Sequence, residues 1–263
     1  MEIGEKGICR LSVIPVRAQP SDKTEQVTQL LFGDHYTVFE ISADRKWAKI
    51  EIYFDKYNGW IDIKQHAKIS EAYFKQVNNA DYKICTDLTS SILYHKHHIS
   101  IVIGSILPIA THELFQMEEQ LAFNGESKSL SQKRDFEFLK EIARKYLNAP
   151  YTWGGRSPFG IDCSGFTQNV FRICGYTIPR DAAQQVMSGA LVDAIDKSRA
   201  GDLAFFSGDT GNIIHVGIVF ENNKIIHASG KVRIDNIDAR GIVNDQTGQV
   251  THQLTSIRRI LKE

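Results

Sequence analysis

The chain has 263 residues, with 31 basic residues against 31 acidic ones and 42% hydrophobic residues, the make-up of an ordinary globular protein. That balance gives no electrostatic reason to expect nucleic acid or an anionic membrane as a partner. No run of about 18 apolar residues is present, so no membrane-spanning segment is expected.

From residue 8 to about 124 the pattern is one of short strands. Val13–Arg17, Thr37–Ile41, Trp47–Ile52 and Gly59–Ile63 are β-branched or aromatic runs, with turn chemistry such as Pro20-Ser21-Asp22 and Phe32-Gly33-Asp34 between them. A second set follows at Tyr82–Thr86, Ile99–Ile103, Ile106–Ile109 and Leu121–Phe123. Close spacing of short strands predicts small barrels, one over 1–65 and another over 66–124. Gly125-Glu126-Ser127-Lys128-Ser129 is polar and aperiodic, so 125–132 reads as a linker before a third domain, 133–263. There Leu139, Ile142, Ala143, Tyr146 and Leu147 recur at helical spacing over 133–147, ahead of Pro150. A second helix, 163–174, carries Phe166, Val170, Phe171 and Cys174 on one stripe, with Asp162 as N-cap and Gly175 as its stop. Strands then take over at Leu203–Phe206, Ile213–Phe220, Lys224–Ala228 and Ser256–Leu261, which makes an α+β layout.

The chemistry gathers in this third domain. Cys163 sits in Asp162-Cys163-Ser164-Gly165-Phe166, at the first turn of the second helix, after Tyr151-Thr152-Trp153-Gly154-Gly155. A helix N-terminus favours the thiolate, which is the nucleophilic form. His215 lies in an apolar strand, sharing a face with Gly217, and His227 lies in the next strand across the turn Glu221-Asn222-Asn223-Lys224. A hairpin there brings the two imidazoles within reach of each other. Nucleophile, base and orienting group are the three parts a cysteine hydrolase needs. A metal site from the same residues is disfavoured, because Cys163 and Cys174 are separated by about 16 Å of helix rise. The four cysteines show neither disulfide-scaffold density nor a C-x-x-C pair, and His95, His97 and His98 read as an exposed loop or edge strand. No metal or cofactor is expected.

These motifs, with Ile178-Pro179-Arg180, Gly201-Asp202-Leu203-Ala204-Phe205-Phe206, His215-Val216-Gly217-Ile218 and Ile226-His227-Ala228-Ser229, resemble those of the NlpC-type cell-wall cysteine peptidases over roughly 133–262. The resemblance implies a papain-like α+β core, with Cys163 as nucleophile, His215 as base and His227 as the orienting residue. Tyr151 is implied near the oxyanion. Tyr57-Asn58-Gly59-Trp60-Ile61 resembles the end of a bacterial SH3-like domain, and two such barrels ahead of the peptidase resemble γ-D-glutamyl-L-diamino acid endopeptidases of peptidoglycan recycling. In that likeness the first barrel closes the groove and favours a free N-terminal L-alanine.

A free amine calls for carboxylates, and Asp162 and Glu25 (or Asp22) are the candidates, with Tyr57 closing the pocket. Ser164, Arg180 and Asp181 resemble acyl-side pocket positions, and Arg180 suits a substrate carboxylate or a neighbouring acid. One departure stands out: Asp181-Ala182-Ala183 follows Pro-Arg where many relatives have a serine or threonine. The implied ligand is a peptidoglycan-derived peptide, L-Ala-γ-D-Glu-diamino acid, and a monomer is expected. The alternatives are a cell-wall peptide-binding module with an idle peptidase domain, or an acyltransferase on the same core. The opening Met-Glu-Ile-Gly-Glu-Lys lacks an apolar core and a cleavage site, so a cytoplasmic location is expected if the chain is complete, and a periplasmic or extracellular one if a leader has been removed.

Overall fold

The computed structural model describes residues 1–110, 121–208 and 210–261. The chain forms two compact units, Met1–Gln132 with Trp153–Pro158, and Lys133–Thr152 with Phe159–Glu263.

The first unit begins with seven strands: β1 (Lys6–Ile8), β2 (Val13–Arg17), β3 (Gln26–Leu31), β4 (His35–Ile41), β5 (Trp47–Ile52), β6 (Asn58–Asp62) and β7 (Ala67–Ile69). They form one sheet in the order β3-β2-β6-β5-β4-β1-β7. The alternation visible in the sequence is the alternation of burial. Ile14 and Val16 of β2, Val38 of β4, Ile50 and Ile52 of β5 and Ile61 of β6 meet in one apolar cluster. Between β3 and β4, Gly33 takes φ +85°, and a Cβ there would lie 2.1 Å from the carbonyl oxygen of Ile106, so only glycine fits the turn.

The rest of this unit covers the range of the expected second barrel, 66–124. It opens with a helix, α1 (Glu71–Asn79), capped by Ser70, whose hydroxyl accepts from the Tyr73 amide. The strands β8 (Tyr82–Cys85), β9 (Thr89–Tyr94), β10 (His97–Val102), β11 (Ile106–Ala110), β12 (Leu121–Phe123) and β13 (Ser127–Ser129) then form two three-stranded sheets, β10-β9-β12 and β11-β8-β13. Phe32, from the turn after β3, joins Cys85, Ile92, Ile101, Leu107 and Leu121 in their core, so these strands do not own their apolar cluster. Residues 111–120 of the 66–124 range lie outside the described residues. The expected linker, 125–132, contains β13, which pairs with β8 from Ser127↔Cys85 to Ser129↔Lys83. Its polar sequence concealed it because ladder hydrogen bonds are made by the backbone, whatever the side chains. His95 and Lys96, both at positive φ, form the tight turn between β9 and β10, and His95, His97 and His98 are exposed there.

Trp153–Pro158 belongs to this first unit and includes β14 (Arg156–Ser157). The Arg156 guanidinium is fully buried, donating to Asp34 Oδ2 at 3.0 Å and to the Gln29 carbonyl at 2.7 Å. Gly154 has φ +70°, and a Cβ on it would lie 2.2 Å from the Gln26 carbonyl oxygen. The first glycine of Trp-Gly-Gly is therefore a close-approach residue.

The second unit starts with α2 (Phe136–Lys145), capped by Asp135 and buried along Leu139, Ile142 and Ala143. After β15 (Gly160–Ile161) comes α3 (Cys163–Ile173), buried at every residue, then α4 (Ala182–Gln185). Gly175, at φ +85°, stops α3 as expected. The strands β16 (Ala190–Val192), β17 (Leu203–Ser207), β18 (Ile213–Phe220), β19 (Lys224–Ser229), β20 (Lys231–Asp238), β21 (Gly241–Val243) and β22 (Val250–Arg259) follow. The sheet order is β16-β22-β17-β18-β19-β20-β21, and β21 also pairs with β22, so six strands close on one another. Ala204, Phe206, Val219, Ile225, Ile237 and Ile242, supplied by five of those strands, with Leu254 of the sixth packed against them, form a common core. α3 packs on β18 and β19, and α4 packs on β18.

Candidate active site

Asp162 precedes α3 in extended backbone, and its Oδ1 accepts from the Gly165 amide at 2.6 Å. This cap makes Cys163 the first residue of the helix, with an amide that has no partner within the helix. The thiol is buried and receives a backbone hydrogen bond from Val216, the neighbour of His215.

β18 and β19 deliver the histidines. Asn222 and Asn223, both at positive φ, make the hairpin turn, and the register pairs Gly217 with His227. A Cβ on Gly217 would lie 2.9 Å from the His227 Cβ, so the glycine makes room for that ring's backbone attachment. His215 Nε2 is 2.8 Å from His227 Nδ1, with the two rings near perpendicular at 85°.

The chain of polar groups goes further than the sequence indicated. His227 Nε2 is 2.9 Å from Oδ2 of Asp235 on β20. Arg233 Nη2 donates to Asp235 Oδ1 at 2.8 Å, and the Asp245 amide donates to the same oxygen at 2.9 Å. His252 of β22 stacks on His215, with centroids 4.2 Å apart and planes at 25°. By strand parity, His215, His227 and Asp235 share the strand faces of Val219, Ile225 and Ile237, and His252 shares that of Leu254. The closed strand set thus has an apolar interior that ends in a histidine–carboxylate group.

Burial governs the protonation of this site. It pushes the Cys163 thiol up to about 12, with the Asp162 carboxylate adding to the effect and the Val216 bond and Arg180 opposing it. It pushes His215 well below its ordinary value, helped by His227 and His252. Both shifts favour the neutral thiol and the neutral imidazole, and so oppose the thiolate that the helix N-terminus favours. Burial would raise Asp235, but bonds from His227, Arg233 and the Asp245 amide hold it well below the usual carboxylate range.

Tyr151 bridges in parallel to Ile161 and is half-buried. Burial, followed by the neighbouring Cys163 and Asp162 charges, pushes its phenol up to about 12, so it remains a hydrogen-bond donor at neutral pH. Arg180 is 1% exposed and donates to Asp162 Oδ2 at 2.7 Å and to Ser164 Oγ at 2.8 Å. Of its two expected carboxylate partners, the neighbouring acid is the one present. Asp181 caps the short α4 through its backbone, with no side-chain cap bond. Gln185, which the sequence did not single out, receives the Thr167 hydroxyl at 2.7 Å and donates to the carbonyls of Ser164 and Pro179.

The second unit thus assembles Cys163, His215, His227, Tyr151, Asp162, Ser164 and Arg180. Asp181 also lies in this unit, and the remaining two expected residues belong to the first unit. Tyr57 packs part-buried on the apolar cluster of the first sheet. Glu25 is exposed and accepts from the Trp153 indole N–H.

A buried helix-start thiol is hydrogen-bonded by Val216, next to His215 in the strand-borne imidazole chain. Residues 148–251 match the NlpC/P60 family, and residues 16–65 match the bacterial dipeptidyl-peptidase SH3 domain. The second unit is thus similar to NlpC/P60 domains over most of its length, and the first sheet to a bacterial SH3-like domain. It is 29% identical over 252 residues to the γ-D-glutamyl-L-lysine dipeptidyl-peptidase of Bacillus cereus, covering 84% of this chain and 73% of that one. It is 28% identical over 220 residues to the Bacillus subtilis protein of the same name, covering 76% and 71%. A crystal structure of an NlpC/P60 family protein from Bacillus cereus has the same fold, with a TM-score of 0.81 at 21% identity over 97% of this chain and 99% of that one.

Proposed function

We propose that the chain is a cysteine endopeptidase that hydrolyses the bond between γ-D-glutamate and the diamino acid of peptidoglycan stem peptides bearing a free N-terminal L-alanine, in cell-wall recycling or remodelling. The observation that carries the reading is the joint placement of Cys163, at the capped start of a buried helix and bonded to Val216, and His215, hydrogen-bonded to His227. The names of the two Bacillus relatives support the choice of bond.

In this mechanism His215 takes the thiol proton as Cys163 Sγ attacks the γ-carbonyl of D-glutamate. The Cys163 amide and the Tyr151 hydroxyl donate to the oxyanion, a contribution worth about 3–4 kcal/mol per donor in comparable hydrolases. The C–N bond breaks as His215 returns the proton to the leaving amine. Water, deprotonated by His215, then opens the thioester and releases L-Ala-D-Glu.

Asp162 is the candidate for reading the free amine within the second unit; Glu25 and Tyr57 of the first unit are candidates on the resemblance alone. Glu25→Gln and Tyr57→Phe are expected to raise KM for the free peptide about tenfold with kcat nearly unchanged, which corresponds to about 1.4 kcal/mol of lost ground-state binding. An unchanged KM in both variants would remove these two residues from substrate reading.

A further inference from the structure

We propose that Asp235 is a positioning residue that fixes the tautomers of His227 and His215, so that Nδ1 is the bare nitrogen of His215; the proposal rests on the cysteine-peptidase reading above. An ionised carboxylate only accepts hydrogen bonds, and a neutral imidazole has one donor and one acceptor nitrogen. With both imidazoles neutral, those two facts determine every proton in the chain. Asp235 is surrounded by donors: Arg233 Nη2 and the Asp245 amide on Oδ1, and His227 Nε2 on Oδ2, with Arg233 Nε also 2.7 Å from Oδ2. His227 Nε2 therefore carries the hydrogen, and His227 Nδ1 accepts. The atom 2.8 Å from it, His215 Nε2, must be the donor. His215 then keeps its lone pair on Nδ1, as a base that receives the Cys163 proton requires.

The strands make this alignment hard to lose. His227 is in register with Arg233 on the β19–β20 ladder, and Asp235 lies two residues further along, opposite Ile225. The side chain of Asp235 is 2% exposed, so water does not compete for its oxygens. His252 stacks on His215 and directs its own Nδ1 to the Thr251 hydroxyl, so it does not compete for His215 Nε2. When the Cys163 proton moves to His215 Nδ1, the resulting imidazolium keeps its Nε2–H on His227, whose far side faces the Asp235 charge. No further proton has to move, and the added proton leaves with the amine. Without the carboxylate, the imidazole pair can reverse direction, which puts hydrogen on His215 Nδ1 and removes the base.

Asp235→Asn tests this with little change of shape. The amide has one acceptor side. With its oxygen on Arg233 Nη2 and the Asp245 amide it satisfies two donors and presents its NH2 to His227 and the Arg233 Nε edge, which reverses the chain. The nitrogen shifts of 15N-histidine-labelled full-length protein read the tautomers without substrate. Wild type is expected to carry hydrogen on Nε2 of both His215 and His227. Asp235→Asn is expected to carry it on Nδ1 of both, with kcat on L-Ala-γ-D-Glu-diamino acid lowered about 10²- to 10⁴-fold and KM nearly unchanged. Arg233→Ala keeps the carboxylate on His227, so the wild-type tautomers and a kcat within about tenfold of wild type are expected, as a purely structural ion pair would not predict for Asp235→Asn alone. Hydrogen on Nδ1 of either histidine in wild type would overturn the proposal, as would unchanged tautomers in Asp235→Asn at any rate. A chain that cleaved none of these peptides would fail the peptidase reading, while the tautomer pattern would still decide this one.

Discussion

Cys163 is subject to two opposed influences, the helix N-terminus that favours its thiolate and the burial that disfavours it, and burial prevails in the resting site. Cys163→Ala is expected to lower turnover by about 10⁴-fold or more without loss of folding, and cleavage above trace rate by that variant would contradict its assignment as nucleophile. Acid is expected to destabilise the fold. His215 and His252, the latter pushed down to about 4 chiefly by burial, stay neutral when folded and take up protons when unfolded. Their contribution is present above the ordinary histidine range and is lost as pH falls toward the folded values. Asp235, depressed in the fold, adds a loss of the same sign at still lower pH. Denaturant titrations from pH 7 to pH 4 should show a steady fall in unfolding free energy, and a flat profile would contradict the neutral, buried histidines. Cys163, His215 and His227 were legible in the sequence because each lay in a strongly patterned element. Asp235 and His252 were not. An inward-facing acid breaks the apolar alternation that announces a strand, and His252 fell before the Ser256–Leu261 run, whereas β22 begins at Val250.

At the scale of elements, the β18–β19 hairpin sets the site's geometry, through Asn222-Asn223 in the turn and Gly217 opposite His227. Gly217→Val is expected to cost about 1–3 kcal/mol by overpacking, since even a Cβ would lie 2.8 Å from the Ile225 side chain. It should also lower kcat by displacing His227. A variant with wild-type melting temperature and kcat would contradict the tight fit. α2 and α3 could be read from their periodic stripes and caps, as could β2, β5, β18 and β19 from alternation. α1 has nine residues, too few for its Tyr73, Phe74 and Val77 face to stand out, and β13 is a polar strand defined by backbone pairing alone. Composition of side chains could not reveal either.

For the whole molecule, neutral net charge and ordinary hydropathy placed the chain among globular proteins but left its chemistry open. The second unit begins at Lys133, where the sequence changes from strand to helical periodicity, while the Trp153–Pro158 segment of the first unit could not be foreseen because its partners are distant in sequence. Its anchor, the buried Arg156–Asp34 pair, is expected to be costly to break, with Arg156→Ala losing about 3–5 kcal/mol by removing the cation from a buried carboxylate; a melting curve that overlays wild type would contradict this.

The central claim is tested most directly by a mass-spectrometric digest of L-Ala-γ-D-Glu-diaminopimelate and its L-lysine counterpart, each with a free and an acetylated N-terminus. Release of L-Ala-D-Glu from free peptides by wild type, and from none by Cys163→Ala, is the expected result. Cleavage of neither free peptide by wild type would contradict the account.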